Sequence, residues 1–199
     1  MTALSGNIRT MFLARAPATE TIHRLIAAQQ KLPFSYAEVG ATRGQLPAGY
    51  TVDHNRTQLG HGAETYARAV AALRDWKQFD LGWTSIVPRQ TPIQEGQVVA
   101  VQARTFAVWS LNFCRLVYVV REERKFGFAY GTLAEHAERG EERFLIEWSP
   151  SDDSVWYDIL AFSQPKHLLV RAGRPLARML QKRFARDSLN AMRNAAKLR

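Results

Sequence analysis

Two long apolar stretches joined by a charged tip form the strongest pattern in the chain. They span residues 109–133, and the tip at 121–125 reads Arg-Glu-Glu-Arg-Lys. This pattern predicts two antiparallel strands joined by a solvated hairpin turn. On the second strand, aromatic and small residues alternate: Phe126, Gly127, Phe128, Ala129, Tyr130 and Gly131. One face of that strand is therefore nearly bare, and it either admits a close neighbour or leaves space for a ligand.

Three segments have the periodicity of amphipathic helices, residues 19–31, 62–79 and 175–197. In the last of these, one apolar stripe is expected to face inward, made of Leu176, Leu180, Phe184, Ala191 and Ala195. Basic residues are expected on the opposite side of the same helix, namely Arg174, Arg178, Lys182, Arg186 and Arg193.

Further strands are predicted between these helices, at residues 34–42, 83–87, 98–105, 144–149 and 154–163. Residues 50–59 fit either a strand or an ordered loop. The acid-rich stretch 133–143, which includes His136, reads as a solvated connection rather than a metal site. Strands grouped together with helices at the ends predict an α+β fold. A long C-terminal helix laid across a curved antiparallel sheet is the helix-grip plan, in which sheet and helix enclose a cavity.

Composition indicates one globular domain over residues 1–199, with residues 1–18 as a loosely ordered N-terminal arm. The chain is 46% hydrophobic and 23% charged, and its longest apolar runs fall far short of the roughly 18 residues that span a bilayer. The N-terminus lacks the continuous apolar region of a signal peptide, and Cys114 is the single cysteine. These features predict a cytoplasmic protein.

The net charge of +9 is concentrated near the C-terminus. Residues 166–199 hold ten Lys and Arg against one acid, Asp187, and the rest of the chain is balanced. The cationic helix face has three interpretations: a solvated surface, a nucleic-acid contact, or an anionic membrane contact. Nucleic acid is disfavoured because no aromatic residues are interleaved with these charges to stack on bases.

Short motifs spread over residues 34–195 resemble uncharacterised protein family 0548, a family of unknown function from bacteria and plants. They include Val-Gly-Ala-Thr at 39–42, Leu-Pro-Ala-Gly-Tyr at 46–50, Asp-His-x-Arg at 53–56, Phe-x-Leu-Gly-Trp at 79–83, Gly-Glu-Glu-Arg-Phe at 140–144 and Ser-Val-Trp-Tyr-Asp at 154–158. That family is similar to the Bet v 1/START-like helix-grip superfamily. The resemblance therefore implies the same fold, and it implies no activity.

The densest polar group is Asp53, His54 and Arg56, which could support acid–base chemistry or bind an anion, or could be a structural loop. On a strand, Asp53 and His54 would point to opposite faces. Asn112 and Arg115 interrupt an apolar strand and need partners. For Arg115 the sequence favours an ion pair with Asp158 or Glu147 on a neighbouring strand.

The leading hypothesis is a small-molecule binding protein with an apolar or amphipathic ligand between sheet and helix. The residues expected to contact it are Asp53, His54, Arg56, Trp109, Asn112, Arg115, Tyr130 and Asp158. An enzyme using the same pocket would draw its acid–base group from Asp53, His54 or Asp158. The third hypothesis is the surface contact through the basic helix. Neither a cofactor nor a metal is expected, since no phosphate-binding glycine loop or zinc-ligand spacing occurs.

Overall fold

The computed structural model describes residues 12–106, 108–134, 136, 138–165 and 174–197. Its helices are α1 (Thr19–Gln29), α2 (Gly62–Arg74) and α3 (Arg174–Ala196), with short 3₁₀ turns at Ala41–Arg43 and Lys77–Phe79. Its strands are β1 (Phe12–Leu13), β2 (Thr51–His61), β3 (Thr84–Val87), β4 (Val98–Thr105), β5 (Val108–Glu122), β6 (Lys125–Thr132), β7 (Glu138–Trp148) and β8 (Ser154–Pro165).

The strands form one antiparallel sheet in the order β2-β8-β7-β6-β5-β4-β3, and β1 adds to β5. The predicted hairpin is confirmed: β5 and β6 pair from Cys114 and Thr132 to Glu122 and Lys125. Register shifts interrupt the pairing between Leu116 and Tyr118 in β5 and near Gly60 in β2. Such bulges bend a strand, and the sheet curves around α3. The α+β helix-grip fold expected from the sequence is therefore confirmed.

Each face of the sheet carries its own hydrophobic core. The concave face packs against α2 and α3 through a large cluster that includes Phe128, Phe144 and Met192. On the convex face α1 contributes Ile22 and Ile26 to a smaller cluster with residues of β4 and β5. Because inward and outward side chains alternate along each strand, neighbouring residues serve different cores.

Residues 34–42 do not form the predicted strand. Phe34 forms one isolated bridge with Leu133. Residues 35–43, here called the outer strap, then form a series of turns that crosses the convex face. The ring of Tyr36 packs directly over Gly131, where any Cβ would collide with the Tyr36 hydroxyl. The bare face of β6 is therefore a place of close approach, and the outer strap covers it.

Glu141 holds the outer strap against the sheet. Its buried carboxylate accepts hydrogen bonds from the Tyr36 hydroxyl at 2.7 Å, from the Gly40 amide at 2.7 Å and from the Thr42 amide at 3.0 Å. The Thr42 hydroxyl donates a fourth. The interpretation of 133–143 as a solvated connection is wrong, because β7 begins at Glu138 and Glu141 is 3% exposed.

Arg115 also contributes to the convex face, in a way that the sequence did not predict. Its guanidinium donates to the carbonyls of Gln29, Gln30 and Leu32, at 3.0, 2.8 and 2.7 Å. These carbonyls lie at and beyond the C-terminal end of α1, where helical acceptors lack intrahelical donors. Arg115 therefore fixes the end of α1 to β5, and it does not pair with Asp158 or Glu147.

Two other boundaries differ from the expectation. The second helix ends at Arg74, since Trp76 takes a left-handed conformation (φ 58°) and a 3₁₀ turn follows. Of the predicted N-terminal arm, residues 1–11 lie outside the described residues, whereas Phe12 and Leu13 pair with Ser110 and Trp109 of β5.

Within the part of the chain that the structure describes, no helix has the length and apolarity needed to cross a bilayer.

Candidate functional site

A cavity of about 280 Å³ lies between the concave face of the sheet and the N-terminal half of α3. It is called the grip cavity here, and it is lined by strand residues Val101, Tyr130, Glu142, Ile159 and Ala161 and by Phe79, Trp83, Leu180 and Phe184, among others. The cavity is partly open to solvent, as small-molecule sites in clefts are.

Small side chains beneath α3 leave this space open. Ala103, Ser110, Ala161 and Ser163 all line the cavity from the strands. Towards its C-terminal end α3 packs tightly instead: Ser188, Met192 and Ala196 are almost fully buried, and the Ser188 and Tyr157 hydroxyls lie 3.0 Å apart. The predicted apolar stripe of this helix holds at Leu180 and Phe184, but Leu176 is 46% exposed.

A row of four residues crosses the sheet along one side of the cavity. The register pairs Tyr130 with Glu142, Glu142 with Ala161 and Ala161 with Asp53, so that the row runs over β6, β7, β8 and β2. All four residues line the cavity. The Tyr130 hydroxyl donates to the Glu142 carboxyl at 2.7 Å. The methyl group of Ala161 leaves open space between the two acids of the row.

Glu142 has an unusual electrostatic environment. Burial, with smaller contributions from the nearby charges of Asp53 and Glu138, raises the pKa of its carboxyl from the ordinary 4.5 to about 7. The hydrogen bond from Tyr130 acts in the opposite direction. Burial, followed by the Glu142 charge, in turn raises the pKa of the Tyr130 phenol well above its usual value. Glu142 therefore exchanges its proton near neutral pH.

Polar side chains connect α3 to β2 and β7 at one end of the cavity. The Arg178 guanidinium binds both carboxylate oxygens of Asp53, one of them at 2.7 Å, and donates to Gln181 at 2.7 Å. Gln181 donates to Glu138 at 2.7 Å. Burial raises the pKa of Glu138, partly offset by its hydrogen bonds from Ser163 and Gln181. This connection fixes the distance between helix and sheet while leaving Glu142 without a charged partner.

Three of the eight predicted contact residues line the grip cavity, namely Asp53, Asn112 and Tyr130. The other five do not: Arg115 caps the end of α1, and Trp109 faces Arg104, whose guanidinium lies 5.7 Å from the indole ring. His54, Arg56 and Asp158 alternate with cavity residues along β2 and β8 and therefore point to the convex face.

On that convex face polar residues of neighbouring strands bind one another. His54 Nε2 lies 2.6 Å from an Asp158 oxygen, and Arg143 donates to the other oxygen at 2.9 Å. Arg143 also donates to the Thr42 carbonyl of the outer strap at 3.0 Å. Arg56 pairs with Glu147 at 3.1 Å and lies over the Trp156 ring. These contacts on the convex face therefore hold the outer strap and the edge strand β2 in place.

The basic residues of α3 differ in their surroundings: Lys182, Arg186 and Arg193 are exposed, whereas Arg178 is bound to the sheet. Arg178 is paired with Asp53, and Arg186 lies 2.9 Å from Asp187. Lys182 is exposed and lines the cavity, while the Arg174 side chain lies outside the described residues. An anionic partner for this helix stays a prediction.

Neither a metal site nor a reactive thiol is apparent in the region that the structure describes. No group of three His, Cys, Asp or Glu side chains there is arranged to hold a metal ion. Cys114 is completely buried, and burial raises the pKa of its thiol well above the usual value. A thiolate nucleophile at this position is therefore disfavoured.

The sequence did not identify Glu138, Glu142, Ala161 or Gln181 as cavity residues. A signal for Glu142 was present, because Phe144 and Ile146 face the concave core and the two-residue period places Glu142 on the same side. This signal was not used, because residues 133–143 were interpreted as a solvated connection. Gln181 had no comparable signal, since the partners that it binds on the sheet, Glu138 and Ser163, come from other elements of the chain.

Comparison with known proteins places the chain in a family. Residues 35–191 match the domain of unknown function DUF1990. The chain belongs to the DUF1990 family. It is 35% identical over 206 residues to the UPF0548 protein of Dictyostelium discoideum, a match that covers 93% of this chain and 95% of the relative. The resemblance to protein family 0548 is therefore confirmed.

Solved structures with little sequence similarity share the fold. A hypothetical protein of Helicobacter pylori, 10% identical, matches 83% of this chain and 96% of its own with a TM-score of 0.55. The di-domain ARO/CYC BexL, 13% identical, matches 80% of this chain and 53% of its own with a TM-score of 0.50. These likenesses support the fold of this DUF1990 protein and carry no statement about its ligand.

Proposed function

We propose that this DUF1990 protein binds a small apolar or amphipathic molecule in the grip cavity. The observation that carries the proposal is the contrast along α3. Its C-terminal half packs against the sheet around Met192, which is fully buried, whereas its N-terminal half stands over about 280 Å³ of space. A ligand would supply the apolar contacts that this half lacks.

The walls of the cavity support a ligand with an apolar body and a polar end. Trp83, Leu180 and Phe184 offer partly exposed apolar surface, while Asn112, Tyr130 and Glu142 offer hydrogen-bonding groups. The enzyme hypothesis loses two of its three acid–base residues, because His54 and Asp158 lie on the convex face. No contact among the described residues specifies a reaction, and the proposal is therefore limited to binding.

The substitution Ala161→Phe will fill the cavity from the strand side. We expect the purified wild-type protein to carry extra mass in native mass spectrometry that disappears on denaturation, and the variant to lack it. The affinity for hexanol added to ligand-free protein should also fall at least about tenfold, because a phenyl ring occupies the volume that the ligand needs.

The matched control is Leu160→Phe, which adds a ring to the neighbouring residue of β8 on the convex face. This variant should keep both the extra mass and the affinity for hexanol. The proposal is wrong if ligand-free wild-type protein binds neither hexanol, hexylamine nor hexanoate in calorimetry at millimolar concentrations. It is also wrong if both variants bind these probes as the wild type does.

A further inference from the structure

The grip cavity contains a carboxyl group without a cation beside it. Glu142 accepts one hydrogen bond, from the neutral Tyr130 hydroxyl, and the charges that bear most on it are two further acids, Asp53 and Glu138. Among the described residues no Lys, Arg or His forms an ion pair with Glu142. A buried carboxylate in this situation is stabilised by any cation that enters the cavity.

The basic groups near the cavity leave this role open. Arg178 has its guanidinium bound to Asp53 and Gln181. Lys182 lines the cavity from α3, but its side chain is exposed and makes no ion pair with a described acid. His136 lines the cavity beside Glu138. None of these three groups contributes to the pKa of Glu142, whereas the two acids do.

Aromatic rings of the cavity lining are a second feature that suits a cationic ligand. Trp83, Tyr130 and Phe184 line the cavity, and Trp83 and Phe184 are partly exposed. The faces of aromatic rings attract ammonium groups, and the attraction grows when water is excluded. Partly exposed rings and a carboxyl group on one lining provide the contacts that a protonated amine needs.

We propose that the ligand of the grip cavity is a small amphipathic amine, whose ammonium group binds the Glu142 carboxylate and whose apolar part lies against Trp83, Leu180 and Phe184. This inference rests on the proposed function and names the chemical class that the cavity selects. A neutral ligand would leave Glu142 without a counter-ion. An anionic ligand would face the acids Glu142 and Glu138, and the basic residues among the described lining are Lys182 and His136.

Binding of an amine should release a proton. Near pH 6 hexylamine is already protonated, whereas Glu142, with a pKa of about 7, is mostly neutral. The carboxyl proton must then pass to the buffer when the ion pair forms, about 0.9 proton for each hexylamine bound near pH 6 and close to none near pH 8.5. For the same reason, the apparent affinity for hexylamine should rise about tenfold between about pH 6 and pH 8.

The test uses three probes with the same six-carbon chain and different head groups: hexylamine, hexanol and hexanoate. Isothermal titration calorimetry of the full-length protein, in buffers of different ionisation enthalpy, measures both affinity and protons released. We expect hexylamine to bind at least about tenfold more tightly than hexanol near pH 8. Glu142→Gln should remove this preference and the proton release while keeping the affinity for hexanol. Glu147→Gln, on the convex face of the same strand, should change neither.

The outcomes separate the two proposals. If hexanol or hexanoate binds the wild type as tightly as hexylamine does, the amine is the wrong class although the cavity binds ligands. The same conclusion follows if hexylamine binds near pH 6 without proton release, or if Glu142→Gln retains the preference. If none of the three probes binds the wild type, cavity binding and the amine inference are both overturned.

Discussion

Replacing Glu142 with glutamine will make the protein more stable at about pH 8, by about 3 kcal/mol in the free energy of unfolding. The cause is the raised pKa of the carboxyl, about 7 in the folded protein against an ordinary 4.5. Each unit of difference between folded and unfolded pKa corresponds to about 1.4 kcal/mol. At pH 8 the wild-type protein must hold a buried negative charge, whereas glutamine has the same shape, stays neutral and can still accept the Tyr130 hydrogen bond.

The effect has a defined pH window. Between about pH 4.5 and about pH 7 the folded protein retains a proton on Glu142 that the unfolded chain has released, so the stability of the wild type falls as the pH rises. Below this window both states are neutral at this position, and wild type and variant should be about equally stable. Above it, the difference should reach its full value and remain constant.

Urea denaturation of both proteins at pH values from about 4 to 8.5 will measure this difference. Comparison of the variant with the wild type cancels the contributions of the titrating groups that do not interact with Glu142. Glu147→Gln on the convex face should change the stability by less than about 1 kcal/mol, because its ion pairs with Arg56 and Lys125 are partly solvated. A difference for Glu142→Gln that does not depend on pH would show that Glu142 titrates normally.

The fold was predictable where long apolar runs or helical periodicity marked an element. β5 and β6 are long apolar stretches on either side of a charged tip, and they were found with small errors at their ends. α2 carries apolar residues at three- and four-residue spacing, and its start was predicted correctly although it ends earlier than expected. The outer strap has a similar composition of aromatic and small residues, yet it is not a strand. Its conformation depends on Glu141, about one hundred positions later in the chain, and local sequence carries no information about that partner.

The candidate site was predictable only in part, for a related reason. Alternation along β2 separates Asp53 from His54, and the structure places Asp53 at the cavity and His54 on the convex face. The predicted contact residues were selected because they are polar or aromatic, without regard to the face of the sheet on which they lie. Arg56, Arg115 and Asp158 were therefore assigned to a pocket that they do not reach. Glu142 was missed because a run of charged residues was interpreted as solvated.

The two adjacent glutamates of β7 show how far one position can change the role of the same side chain. Glu142 points into the cavity and has a single neutral donor. Glu141 points to the convex face and accepts four hydrogen bonds from the outer strap. The same Glu→Gln substitution should therefore have opposite effects on stability at the two positions, since a carboxylate is unfavourable at one and required at the other.

Glu141→Gln will lower the free energy of unfolding by about 3 kcal/mol at pH 8. Glutamine offers one acceptor oxygen, and its amide nitrogen would face donors from Tyr36, Gly40 or Thr42, leaving buried groups unpaired. Urea denaturation will measure the global loss, and hydrogen exchange should show faster exchange at the Gly40 and Thr42 amides than in β6. Tyr36→Phe, which removes one of the four bonds, should cost about 1 kcal/mol. If Glu141→Gln instead stabilises the protein as Glu142→Gln does, the outer strap is not held by this carboxylate, and the division of β7 into a strap face and a cavity face is wrong.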